Sequence, residues 1–245
     1  GPPNERAGSE PTETGNYERR LTGSMGSDYP ELPASRLESG GWEQRVRTES
    51  TVFRMPTASV VGRTVLYEDA ELAAALSAAG AADLLARRNA DGGDRLVDTD
   101  GTYWRFFFAT ALSFRPPLAP GIGPASMRPT VVAEARSSFA DDLRARGFED
   151  VERGRTQRAR TEGGDRVSLS KVTASYPFED ESYDPLDVEG WLGVWSTGGE
   201  FRIAGGVFPL RGLDQLLASL PEAERPVIDP NGYRDELLAL LRAVE

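Results

Sequence analysis

Large apolar side chains alternate along the segment from Trp104 to Phe114. Apart from one threonine they fill every second position: Trp104, Phe106, Phe108, Thr110, Leu112 and Phe114. Side chains two residues apart lie on the same face of a β-strand, so this spacing predicts a long strand with one face in the core. Such a strand needs paired neighbours and a covering layer, which indicates a sheet packed against helices.

Further strands and helices are predicted on both sides of this segment. Asp69 is a suitable N-cap for a helix over Ala70 to Ala79, which Gly80 would end. A second helix is expected to begin near Ser126 or Pro129 and to end at Gly147. The predicted strands are Arg45–Phe53, Val60–Tyr67, Phe148–Thr161, Arg166–Phe178, Glu189–Trp195 and Glu200–Phe208. Hairpin turns are expected at Asp98–Gly101, at Gly163–Gly164 and at Ser196–Gly199.

The order of these elements predicts an α+β fold, with a mainly antiparallel sheet covered by helices. Residues 1–41 are rich in Pro, Gly, Ser, Glu and Thr, and are expected to form a flexible or extended, disordered N-terminal arm. Residues 42–245 are expected to form a single α+β globular domain. Gly205-Gly206 within a predicted strand indicates either a bulge, which is the preferred interpretation, or a close approach by another backbone or a ligand.

Two resemblances follow from this order and from one string of residues. The portion from Trp104 to Leu220 resembles, in topology alone, the Mog1/PsbP/LpqN-like α/β/α sandwich. The string from Val188 to Trp195, together with Phe201 to Gly206, resembles uncharacterised haloarchaeal proteins, some of which are lipoproteins. The second resemblance implies a fold and a habitat, and it implies no activity.

The chain contains no histidine and no cysteine. This composition excludes disulfides, thiolate nucleophiles, histidine-based catalytic triads and zinc sites built from His or Cys. Ser168 and Lys171 match the spacing of serine acyl-enzymes, but on the predicted strand their side chains point to opposite faces.

The charge is unusual in two ways. The formal net charge is −11, and of the 28 basic residues only Lys171 is a lysine, which leaves 27 arginines. Many carboxylates and few lysines indicate an extreme halophile, and a GC-rich genome is the alternative explanation of the arginine excess. The compartment is left open between cytoplasmic and exported. No apolar run is long enough to span a membrane, so a soluble chain is expected.

The basic residues concentrate in one tract, which contains Arg153, Arg155, Arg158 and Arg160. Regular alternation would place the first two on one face of a strand and the last two on the other, unless Gly154 forms a bulge. The tract could bind phosphate, nucleic acid or an acidic partner. The preferred interpretation is structural, with these side chains paired to carboxylates on a neighbouring strand.

An acidic loop offers the preferred candidate metal ligands, Asp180, Asp184 and Asp187. Carboxylates on a loop suit Ca²⁺ or Mg²⁺, although the spacing fits no EF-hand and a solvated acidic loop explains it without a metal. No cofactor is otherwise expected.

The sequence therefore favours a non-catalytic binding, accessory or structural protein with a protein partner or a larger assembly. A carboxylate-based enzyme that uses a divalent metal is the alternative. Nucleic-acid association through Arg153 to Arg160 is the third hypothesis, and it would fail if acidic neighbours covered the tract.

Overall fold

The computed structural model describes residues 29–81, 84, 96 and 103–245. Residues 1–28 of the expected arm and the hairpin predicted at Asp98–Gly101 lie outside the described residues. The expected α+β class is confirmed, because the described chain forms one antiparallel sheet with helices packed against it.

The described residues form seven strands in this sheet. In chain order they are β1 (Trp42–Met55), β2 (Ala58–Asp69), β3 (Phe106–Arg115), β4 (Glu149–Arg160), β5 (Arg166–Tyr176), β6 (Leu186–Thr197) and β7 (Glu200–Arg211). Their order across the sheet is β1-β2-β3-β7-β6-β5-β4, and every neighbouring pair is antiparallel. The hairpin expected at Ser196–Gly199 is confirmed: Gly198 and Gly199 adopt φ values of +57° and +85° between β6 and β7.

Five α-helices and one short 3₁₀ turn at Glu222–Glu224 accompany the strands in the described part of the chain. The helices are α1 (Ala34–Ser39), α2 (Ala70–Ala78), α3 (Pro124–Ala145), α4 (Leu213–Leu217) and α5 (Pro230–Arg242). The predicted start of α2 is confirmed, since the Asp69 side chain accepts a hydrogen bond of 3.0 Å from the backbone N–H of Leu72.

Both faces of the sheet are covered, which gives three layers. On β3, Phe106 and Phe108 pack into a core that contains the buried side chains of α2, α3 and α4. Phe107 and Ala109 point the other way, into a core that contains buried side chains of α1 and α5. The alternation that predicted one buried face was therefore correct, and the opposite face of the same strand is buried as well.

The chain reaches the far edge of the sheet through α3. This helix follows β3, packs over the sheet and ends at Gly147, whose φ is +86°. The chain then returns to the centre as the meander β4-β5-β6-β7, and β7 pairs with β3. As a result β4 is an edge strand of the sheet that the described residues form, with β5 as its partner there, and α3 packs on one face of this pair.

Glycines on β6 and β7 let α5 lie close to the sheet. A Cβ atom on Gly193 would come within 2.7 Å of Leu241, and one on Gly206 within 2.8 Å of Leu237 and 2.1 Å of the Phe106 carbonyl oxygen. The bulge expected at Gly205-Gly206 is wrong, because the register of β7 is unbroken there against both neighbours. These glycines instead mark a close approach of backbone and helix.

Residues 29–41, which the sequence assigned to the arm, pack against the sheet. Glu31 exchanges two backbone hydrogen bonds of 2.9 Å with Glu245, and Leu37 of α1 is buried beside α5. No helix in the part of the chain that the structure describes is long and apolar enough to cross a membrane.

Candidate functional site: an arginine-lined cavity

The arginine tract predicted from the sequence lies on the edge strand β4. Arg153, Arg155, Arg158 and Arg160 are all exposed, and the pairing of β4 with β5 shifts register between Arg153 and Thr156. This irregularity is the Gly154 bulge that the sequence analysis raised as an exception to regular alternation. The pairing of β4 with β5, rather than the spacing of the arginines in the sequence, therefore determines the face on which each of the four side chains lies.

The bulge brings three of the arginines to one face. Arg153 is opposite Val172, Arg158 opposite Ser168, and Arg160 opposite Arg166. Residues opposite each other in antiparallel strands share a face, and Val172 belongs to the core on the α3 side. Arg153, Arg158 and Arg160 thus all point toward the α3 side of the sheet, which regular alternation would not allow.

A surface cavity of about 590 Å³ lies between the start of α3 and the turn that joins β4 to β5. Four guanidinium-bearing residues line it, and the remaining lining is small and carries no charge: Arg128, Arg158, Arg160, Arg166, Ala159, Val167 and Ser168. We call this feature the arginine cavity. Arg128 comes from α3, Arg166 begins β5, and the other two arginines come from the end of β4.

Backbone carbonyl groups orient two of the four arginines. Arg128 donates to the carbonyl oxygen of Arg166, which ties α3 to β5. Arg160 donates to the carbonyl oxygen of Gly164 at 2.8 Å, across the turn. Arg158 and Arg166 donate no side-chain hydrogen bond to any residue that the structure describes. Their guanidinium donors are available to a ligand.

No carboxylate among the described residues forms an ion pair with any of the four arginines of the cavity. Strand β5, the one neighbour of β4, runs from Arg166 to Tyr176 without an Asp or Glu. Glu162, in the adjoining turn, pairs with Arg36 at 2.7 Å instead. The structural interpretation of the tract predicts pairing with carboxylates on a neighbouring strand. The described residues contain no such pair.

The structure separates Arg153 and Arg155 from the arginine cavity. Arg153 lines a narrow crevice beside Arg136, with room for about one water molecule, and a shallow cavity of about 210 Å³ that also contains Glu152. Arg155 lies within the bulge and lines none of these cavities. Only Arg158 and Arg160 of the four candidates meet at the large cavity.

The carboxylates of two of the three candidate metal ligands have protein partners, and the third residue, Asp184, is held through its backbone. Asp180 accepts hydrogen bonds from the hydroxyl and the backbone N–H of Ser182, which lower its pKa. Asp187 pairs with Arg211 at 2.8 Å. The backbone N–H of Asp184 donates to the side chain of Gln215.

Within the described ranges no three carboxylates form a group that could hold a metal ion. The divalent-metal hypothesis stays a prediction without an identified ligand set there.

Ser168 and Lys171 lie on opposite faces of β5, as the strand prediction required. Ser168 lines the arginine cavity on the α3 side, whereas the Lys171 ammonium lies 3.6 Å from the carboxylate of Glu189. Arg234 of α5 also binds Glu189, through two hydrogen bonds of 2.6 and 2.7 Å. Lys171 thus belongs to an ion-pair network around the buried Glu189 carboxylate on the α5 side, and it cannot activate Ser168.

Sequence reasoning missed Arg128 and Arg166. A signal for Arg166 was present, since a hairpin centred on Gly163–Gly164 places it opposite Arg160. Arg128 gives no local signal, because its place depends on how α3 packs across the sheet. The arrangement as a whole offers several positive charges and one hydroxyl, which suits binding an anion.

A family model described as a domain of unknown function (DUF6517) matches residues 29–245. The chain belongs to the DUF6517 family. The match begins where the described structure begins, and it includes residues 29–41, which pack against the sheet. A search of curated proteins found no match.

The expectation that the chain belongs to an uncharacterised family is confirmed, because the matching family is one of unknown function. The haloarchaeal resemblance and the likeness to the Mog1/PsbP/LpqN-like sandwich stay predictions.

Proposed function

We propose that this protein is a non-catalytic binding protein and that the arginine cavity holds an anionic group of its ligand or partner. The observation that carries the proposal is the convergence of Arg128, Arg158, Arg160 and Arg166 on one cavity without a lining carboxylate. Guanidinium groups form charge-assisted, often paired hydrogen bonds with oxyanions, and these are among the stronger polar contacts in proteins.

The negative net charge of the protein strengthens the argument that this arginine cluster binds an anion. In a chain of formal charge −11, several arginines elsewhere pair with carboxylates, as Arg105 pairs with Asp69 at 2.7 Å. Four cations gathered without an acidic partner among the described residues repel one another, and an anionic ligand would relieve that repulsion. The cavity volume of about 590 Å³ also lies within the range of small-molecule sites, roughly 300–1,000 Å³.

The lining residues support binding over catalysis. They supply guanidinium groups and the Ser168 hydroxyl, but no carboxylate or imidazole that could accept a proton at neutral pH. Nucleic-acid association is the competing function, since the tract is exposed and no carboxylate that the structure describes pairs with it. It predicts a different pattern, because a strand of nucleic acid would use Arg153 and Arg155 as well.

Isothermal titration of the full chain with sulfate, citrate and tripolyphosphate tests this proposal, with Arg158→Gln compared against Arg155→Gln. The two arginines lie on the same strand, both are exposed, and neither donates a side-chain hydrogen bond to a described residue. Losing one charge-assisted contact should weaken binding about tenfold or more in Arg158→Gln. Arg155→Gln should bind as the unaltered protein does. Equal loss in both variants, or no binding of any anion, would contradict the proposal.

The same titration should be run at low and at molar salt. Exposed charges are screened within about 3 Å at 1 M salt, so binding that depends only on long-range attraction to the exposed arginines would disappear. Contacts made inside the arginine cavity by direct hydrogen bonds should persist with reduced affinity.

A further inference from the structure

We infer that the ligand of the arginine cavity is a compact molecule that carries two or more phosphate groups. This inference rests on the proposed function and narrows it to one chemical class. It follows from the number of cations, from the directions in which they approach, and from what the rest of the lining lacks.

The number of cations that line the cavity indicates how much negative charge the ligand carries. Arg128, Arg158, Arg160 and Arg166 bring four permanent positive charges to one cavity, and a guanidinium group does not lose its proton at physiological pH. A single carboxylate would leave most of this charge uncompensated. A ligand with several negative charges in a small volume compensates it.

The directions of approach favour phosphate over carboxylate. Arg128 reaches the cavity from α3, which packs on one face of the sheet, whereas Arg158 and Arg160 come from β4 and Arg166 from β5. A carboxylate presents two oxygens in one plane and pairs well with one guanidinium fork. A phosphate group presents three outward oxygens around a tetrahedral centre, so several forks can bind it from different sides.

The rest of the lining favours a compact ligand. Ala159, Val167 and Ser168 offer no aromatic face on which a nucleic-acid base could stack. A long polyanion, such as an acidic polypeptide or a nucleic acid, would also extend beyond the cavity over a protein with 39 carboxylate residues. A small phosphate-rich molecule meets only the local positive charge.

The test is a titration of the full chain with sodium tripolyphosphate, compared with citrate, a hexaglutamate peptide and a short single-stranded oligothymidylate. Tripolyphosphate should bind at least about tenfold more tightly than citrate or the peptide, given the additional charge-assisted hydrogen bonds. Arg158→Gln should lose about tenfold or more of that affinity and Arg155→Gln should keep it. Circular dichroism of both variants checks that each is folded.

A vesicle-binding experiment distinguishes the two possible sources of the phosphate groups, a lipid headgroup and a free ligand. Phosphatidylcholine vesicles with and without phosphatidylinositol bisphosphate are sedimented with the protein. Binding that requires the phosphorylated lipid and is displaced by tripolyphosphate assigns the site to a headgroup. Tripolyphosphate binding without vesicle binding assigns it to a free ligand, and both results support the inference.

One result would overturn the inference while leaving the proposed function in place, and another would overturn both. Citrate or hexaglutamate binding as tightly as tripolyphosphate, with the same loss in Arg158→Gln, would show an anion site without phosphate preference. Tighter binding of the oligothymidylate that falls equally in Arg158→Gln and Arg155→Gln would show an extended nucleic-acid surface, and this would also refute the arginine cavity as the site. Absence of binding to every probe would refute both proposals.

Discussion

The substitution Glu189→Gln removes a carboxylate that lies between β6 and α5 almost entirely inside the protein. The Glu189 side chain is 2% exposed, and it accepts hydrogen bonds from the Trp191 indole at 2.7 Å and from Arg234 at 2.6 and 2.7 Å. Burial alone would raise its pKa. The hydrogen bonds from Arg234 and Trp191, with the charges of Arg234 and Lys171, outweigh burial and hold the pKa of Glu189 below its usual value.

Removing the Glu189 carboxylate and removing the Arg234 guanidinium should reduce the free energy of unfolding by different amounts. Arg234 and Lys171 are 31% and 41% exposed, so both can turn toward water when the carboxylate is lost. We expect Glu189→Gln to reduce the free energy of unfolding by about 2 kcal/mol, below the 3–5 kcal/mol that breaking a buried pair usually costs. Arg234→Gln leaves the carboxylate buried with fewer donors, and we expect a loss of about 4 kcal/mol.

Urea denaturation across a pH series measures both effects. The depressed pKa of Glu189 means that its stabilising contribution is present above the pKa of an unfolded glutamate and is lost as the pH falls through the folded value. The difference between the unaltered protein and Glu189→Gln should therefore shrink in acid. A larger loss for Glu189→Gln than for Arg234→Gln, or a difference independent of pH, would refute this reasoning.

Three further substitutions, at Thr64, Thr110 and Gly206, test the packing of the sheet. Thr64 and Thr110 share a buried hydrogen bond of 2.8 Å between β2 and β3, so either single change to Val should cost about 1–2 kcal/mol, and the double change should cost less than the sum. Thermal unfolding of the three variants measures this, and additive losses would contradict it. Gly206→Ala should lower the melting temperature by several degrees or prevent folding, because its Cβ would meet the Phe106 carbonyl oxygen at 2.1 Å. A melting temperature unchanged from that of the unaltered protein would contradict the close approach.

The positions of the strands along the chain were largely predictable because local signals identify strands and turns. The alternation from Trp104 to Phe114 identified β3, and the Ser196–Gly199 turn identified the β6-β7 hairpin. Alternation could not show that the opposite face of β3 is also buried. Phe107 and Ala109 are covered by helices far along the chain, and no residue near them signals that contact.

The candidate site was only partly predictable because it depends on one irregularity and one long-range contact. The tract of arginines was visible, but the bulge at Gly154 sets which of them share a face. Arg128 joins Arg158 and Arg160 only because α3 crosses the sheet after β3. Propensity and spacing describe residues that are close together in sequence. They establish neither the register of β4 against β5 nor the packing of α3 across the sheet.

The most direct test of the account is a map of the arginine side chains by NMR. The Nε–Hε signals of the ¹⁵N-labelled full chain would be recorded during titration with tripolyphosphate. We expect saturable shifts at Arg128, Arg158, Arg160 and Arg166, the arginines that line the cavity, and no shift at Arg155. Shifts distributed along the whole tract, or confined to arginines outside the cavity, would contradict the claim that this cavity is the binding site.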